Sequence, residues 1–155
     1  MKTPKRYLVI DAIALYFVAG CGVLDRPYVV KNYGINEVKE VPVGSVMMAW
    51  EYGKYNDITY YKFDGHRIEL IYGGVDQNTV TVTFQEFVID AGFESFTRPT
   101  YTQQLTFDLN QSTTISYEDA RIQVISVSKT TIRYRVLQGP TKFEEYAKKA
   151  KQLFY

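Results

Sequence analysis

Cysteine, histidine and tryptophan each occur once in the 155 residues. A single cysteine excludes an internal disulfide. A single histidine, His66, with no other soft ligand near it in sequence leaves no donor set for a zinc site. A serine triad would have to recruit His66 as its base, and no Gly-x-Ser-x-Gly elbow accompanies it. Gly73-Gly74 is not followed by the Gly-Lys-Ser/Thr of a phosphate-binding loop. No apolar run reaches the roughly 20 residues that a bilayer-spanning helix needs. Charge of one sign is also lacking: the formal net charge is +1, which gives no electrostatic basis for nucleic-acid binding. Nothing in these counts implies a cofactor or a metal, and the chain contains no repeat.

What is present begins at the N-terminus. Lys2, Lys5 and Arg6 form a basic tip, and a mostly apolar run from Tyr7 to Ala19 follows. Val18-Ala19-Gly20 then places small residues before Cys21. Basic, apolar and small in that order is the pattern of a secretory signal. Asp11 interrupts the run, but close enough to its start to stay near the interface. The bland alternative is a strand at Tyr7–Ile10 with Cys21 as a buried thiol. The segment Val18-Ala19-Gly20-Cys21 resembles the lipobox of bacterial lipoproteins. That resemblance implies removal of residues 1–20 and acylation of Cys21 as the new N-terminus. It implies a palmitate-type anchor in the cell envelope, with the membrane as partner through Cys21 and an envelope protein as a possible second partner. The residue after Cys21 is Gly22 and not aspartate, which in such lipoproteins favours delivery to the outer membrane of a two-membraned host. The resemblance covers only these residues.

The mature chain would carry 15 basic and 16 acidic side chains in 135 residues, enough for one domain. Residues 21–37 read as a short lead-in, with a possible first strand at Tyr28–Val30, and 38–155 as the folded body. Apolar residues alternate from Val46 to Tyr52, from Val80 to Phe84, at Leu105, Phe107 and Leu109, and at Ile132, Tyr134 and Val136, which is the period of half-buried strands. Asp64-Gly65 predicts a two-residue hairpin turn within Thr59–Tyr72, with Phe63 facing His66. Gly73-Gly74 and Asp76–Asn78 predict the next turn. Phase changes near Gln85-Glu86 and between Val124 and Ile125 predict two β-bulges. Gly139-Pro140 ends the strands, and a capping-box pattern at Thr141–Glu144 opens a helix over 141–154. The expected fold is all-β, a mainly antiparallel sandwich or barrel with one C-terminal α-helix.

For function, the residues favour a non-enzymatic assembly or binding module. Carboxylates such as Glu51, Asp57, Glu69, Glu86, Asp90 and Glu94 offer pairs that any β-protein of this size has by chance. His66 reads as a hairpin-end residue packing near Phe63. The aromatic density from Trp50 to Phe63 suggests the alternative of a glycan or small-ligand site with Trp50, Tyr55 and Tyr60 as contacts. Alternation puts Trp50, Tyr52, Tyr61 and Phe63 mostly in the core and leaves Tyr55 and Tyr60 as the exposed pair.

Overall fold

The structure is a computed structural model that describes residues 25–59, 61–90 and 99–152. Nine strands and one helix follow in order: β1 (Asp25–Lys31), β2 (Val38–Pro42), β3 (Val46–Asn56), β4 (Lys62–Asp76), β5 (Thr79–Ile89), β6 (Tyr101–Asp108), β7 (Thr114–Tyr117), β8 (Ala120–Val127), β9 (Thr131–Gln138) and α1 (Thr141–Gln152). The strands form two separate sheets, a five-stranded one ordered β1-β3-β4-β5-β6 and a four-stranded one ordered β2-β9-β8-β7. Every ladder within them is antiparallel, so the fold is a sandwich with one C-terminal helix. Within the stretch read as a lead-in, β1 pairs with β3 over its whole length.

Alternation places Met48, Trp50, Leu70, Tyr72, Val80, Val82 and Phe84 from one sheet against Ile122, Val124, Ile132, Tyr134 and Val136 from the other. Helix α1 lies against β1 and β3 of the five-stranded sheet and buries Phe143 and Ala150. It covers apolar surface of that sheet.

Several turns differ from expectation. Asp64-Gly65 is not a turn: β4 runs through both residues, and the reversal lies at Asp57–Thr59, where the Asn56 side chain accepts hydrogen bonds from Ile58 and Thr59 at 3.0 and 3.1 Å. Asp64, with φ of 48°, sits opposite a register shift between Tyr52 and Lys54, so the pair marks a bulge. Gly73-Gly74 likewise lies at a shift within β4, and the chain turns at Gln77-Asn78. The bulge predicted between Val124 and Ile125 is present, as a register shift between Val124 and Ser126. The one predicted at Gln85-Glu86 is absent: the ladder is regular there, and Phe87 and Ile89 are buried on the other face.

The two layers have no disulfide and are linked by tyrosine hydroxyls. Tyr134 donates to the Met47 carbonyl and Tyr72 to the Ser128 carbonyl at 2.9 Å, while Tyr146 ties α1 to the five-stranded sheet by donating to the Gly53 carbonyl at 2.8 Å. Each contributes about 1 kcal/mol net. Burial, with the Glu37 charge added, pushes the Tyr134 hydroxyl up to about 12, so it stays a donor at neutral pH.

The capping box does not close on itself. Glu144 instead accepts from Lys31 at 2.8 Å and from Tyr33 at 3.0 Å. The helix N-terminus is capped from the β7–β8 turn, where Asp119 accepts from the Thr141 backbone N–H at 3.0 Å. This bond should make Asp119→Ala cost about 1 kcal/mol, read as a lower urea midpoint at pH 7. The side-chain hydrogen bond with Thr141 holds the Asp119 carboxyl below its ordinary value of 3.8. A depressed folded value gives stability that is present above 3.8 and fades as pH falls through the lower folded value. The difference between parent and variant should therefore shrink at the acid end of the titration.

Candidate functional site

One end of the sandwich gathers Tyr52, His66, Tyr101, Tyr117 and Tyr146. It is built from the last part of β3, the first part of β4, the last part of β5, the start of β6 and the β7–β8 turn, with α1 alongside. His66 on β4 pairs with Tyr52 on β3 and Val88 on β5. Side chains two residues apart share a sheet face, so Glu86, diagonal to His66, points the same way. The His66 Nδ1 and the Glu86 carboxylate lie 3.0 Å apart, with about 40% and 33% of their side chains exposed. The Tyr52 ring stacks on the imidazole at a centroid distance of 5.7 Å and touches Tyr146 at 5.3 Å.

The opposite sheet supplies the facing wall. Its Tyr117 stacks on Phe84 at 4.6 Å, while Tyr101 of β6, in the same sheet as Phe84, tilts against that ring at 5.9 Å. Glu118 follows at a φ of 50°, a conformation that the tight β7–β8 turn imposes. Burial raises the Tyr117 hydroxyl to about 12, and the charges of Glu118 and Glu86 add to the effect. Burial, then Glu86 and Glu118, raise Tyr52 as well. Both hydroxyls therefore remain protonated donors at neutral pH, beside two carboxylate acceptors and an imidazole. The arrangement offers flat apolar faces with hydrogen-bonding rims, which suits a hydroxyl-bearing ligand. Glu86 fixes the orientation of His66. Among the described residues, no serine or cysteine side chain is hydrogen-bonded to that imidazole.

The residues singled out from sequence fall elsewhere. Trp50 is 3% exposed in the core and cannot present its ring to a ligand, so its assignment as a contact is corrected. Tyr55 is half-buried near the end of β3, opposite Arg26 and Lys62. Tyr60 and Cys21 lie outside the described residues. Tyr61, expected in the core, is 58% exposed beside the β3–β4 turn. The His66–Glu86 pair was not legible. The two are 20 positions apart, and their register depends on the shift at Gly74.

On the outer face of the five-stranded sheet, Glu51 and Glu69 are both nearly buried. Lys62 bonds Glu51 at 2.7 Å and lies 4.7 Å from the centroid of the Tyr28 ring. Arg67 bonds Glu69 through Nε at 2.8 Å and approaches Glu51 at 3.7 Å. Among the described residues the buried Tyr28 hydroxyl has no well-aligned hydrogen-bond partner, and burial, then the adjacent Glu51 carboxylate, raises its pKa. Every charge here is already matched within the sheet. The adjoining hollow of about 130 Å³, lined in part by Val30, Ala49 and Arg67, has room for only a few waters.

No three or more His, Cys, Asp or Glu side chains come together to hold a metal ion among the described residues. No helix among them is long and apolar enough to cross a membrane. Comparison with protein-family models, with curated proteins and with solved structures finds no match to this chain.

Proposed function

We propose that this chain is a lipid-anchored cell-envelope protein whose sandwich is a non-enzymatic assembly or binding module. The observation that carries the reading is the character of one end of the five-stranded sheet. There β1 starts at Asp25, paired with Asn56, four residues after Cys21. Four residues of extended chain reach about 14 Å. Beside that strand end, the tip of the β3–β4 hairpin exposes Ile58 at 69% and Tyr61 at 58%, an aliphatic and an aromatic group suited to a bilayer interface. Acyl chains on Cys21 would contribute about 0.8 kcal/mol per buried CH₂, and two or more chains give stable anchoring. In a two-membraned host the expected location is the outer membrane, as Gly22 after Cys21 favours.

A second reading, recognition of a glycan or other small hydroxyl-bearing ligand, rests on the end of the sandwich around Tyr52, His66, Glu86 and Tyr117. It takes the place of the contact set containing Trp50. β1 begins at that end, at Asp25, so under the lipid-anchored reading a ligand held there would be close to the bilayer.

The test is the mass of the purified protein together with its fractionation. The expected product begins at Cys21 and carries added acyl mass. Cys21→Ser should remove the protein from the membrane fraction while leaving the fold unchanged by circular dichroism. An unmodified thiol, or a Cys21→Ser protein that still sediments with membranes, would overturn the anchor.

A further inference from the structure

We infer that β6 is a self-pairing edge. Two copies of the chain join antiparallel through it, about a two-fold axis at Gln104, and make one continuous ten-stranded sheet. The inference does not depend on the lipid anchor.

Sheet edges are ordinarily blunted by charge, proline, bulges or shortness. Three of the four edges here follow that rule. Edge strand β1 carries Asp25, Arg26, Pro27 and Lys31, β2 carries Lys39, Glu40 and Pro42, and β7 is only four residues long. Strand β6 does not. From Tyr101 to Phe107 it has no charge, no proline and no glycine. Its ladder with β5 runs over eight pairs without a register shift, and among the described residues no strand pairs with its other side. Residues 101–104 and Thr106 are exposed.

The backbone orientation follows from one bond. The Leu109 N–H donates to the Asn78 carbonyl at 2.8 Å. Alternate residues of an antiparallel strand bond to the same neighbour, so the odd-numbered residues bond to β5. The N–H and C=O groups of Thr102, Gln104 and Thr106 therefore point to the open edge.

The sequence around Gln104 identifies the occupant. Threonine stands two residues away on each side, at Thr102 and Thr106, and an aromatic stands three away on each side, at Tyr101 and Phe107. With the axis at Gln104, that residue meets its own copy. Thr102 meets Thr106 of the second copy, Gln103 meets Leu105, and Tyr101 meets Phe107. Thr–Thr and aromatic–aromatic pairs directly opposite one another each favour antiparallel pairing. Asp108, the only charge on the strand, falls opposite residue 100 of the second copy, so no like charges meet. About six backbone hydrogen bonds close the junction. Such an isologous contact is closed and does not propagate into fibres.

The experiment uses the full chain with Cys21→Ser, so that any added cysteine is the only thiol. Gln104→Cys should give a disulfide-linked dimer on mild oxidation, whereas Ser126→Cys, on the exposed surface of β8, should stay monomeric. Gln104→Lys, read by sedimentation equilibrium, should weaken dimerisation at least about tenfold by placing two ammonium groups at the axis. The cysteine variant adds no charge and preserves the edge, so it reports on the contact independently of how lysine affects folding. A parent that stays monomeric up to about 1 mM would overturn the inference. So would equal cross-linking at Ser126, or a dimer undisturbed by Gln104→Lys.

Discussion

Gly65→Ala should destabilise the protein by about 3 kcal/mol and lower its melting temperature by roughly 10 °C. A methyl group built on Gly65 would lie 2.6 Å from the Tyr52 carbonyl oxygen and 3.2 Å from the Gly53 Cα. Both are backbone atoms of the neighbouring strand, held in a ladder on each side, and neither can rotate away. The reciprocal change meets the same obstacle, since a methyl group on Gly53 would lie 2.8 Å from the Gly65 Cα. The two glycines allow β3 and β4 to approach closely at the shift between Tyr52 and Lys54. Gly34→Ala is the control. Its nearest obstacle, at 2.7 Å, is the Glu37 carboxylate, the far end of a flexible side chain that can move. Thermal unfolding followed by circular dichroism should rank Gly65→Ala well below Gly34→Ala. A shift within about 2 °C for Gly65→Ala would show that the strands separate at little cost.

That glycine also shows how far the sequence could be read. A residue tolerant of positive φ followed by glycine is chemically suited both to a two-residue hairpin and to a bulge, and only tertiary pairing decides between them. Here pairing with β3 and β5 carries β4 through Asp64-Gly65 and Gly73-Gly74 as one 15-residue strand. Alternation was informative where one face meets the core and the other water, as in β9, where Ile132, Tyr134 and Val136 are buried and Arg133 is exposed. The phase change at Ile125 marks a true bulge because that residue is pushed outward, 43% exposed. The phase change at Phe87 and Ile89 has a different cause: apolar side chains are buried on the outer face of a regular strand. Periodicity alone does not separate the two cases. Strand β2 was missed because it is short, ends in proline and alternates weakly. The cluster around His66 and Glu86 depends on two register shifts in β4, so no local pattern could have assembled it.

Arg67→Met should cost about 3 kcal/mol, through the carboxylates it leaves behind. Glu51 and Glu69 are 6% and 8% exposed on the outer face of the sheet, and the guanidinium lies between them. Breaking a buried pair by removing one partner ordinarily costs about 3 to 5 kcal/mol. The lower end applies because the Arg67 side chain is itself 39% exposed and partly screened by water. Glu69 should account for most of the loss. Glu51 keeps Lys62 at 2.7 Å, whereas Arg67 makes both hydrogen bonds that Glu69 accepts among the described residues. One further measurement separates this cause from lost packing. Arg67→Met combined with Glu69→Leu should recover most of the stability, because the orphaned charge is gone and the methionine stem still covers the sheet. If the double variant is as unstable as the single one, the arginine stem and not its charge holds that face of the sheet together.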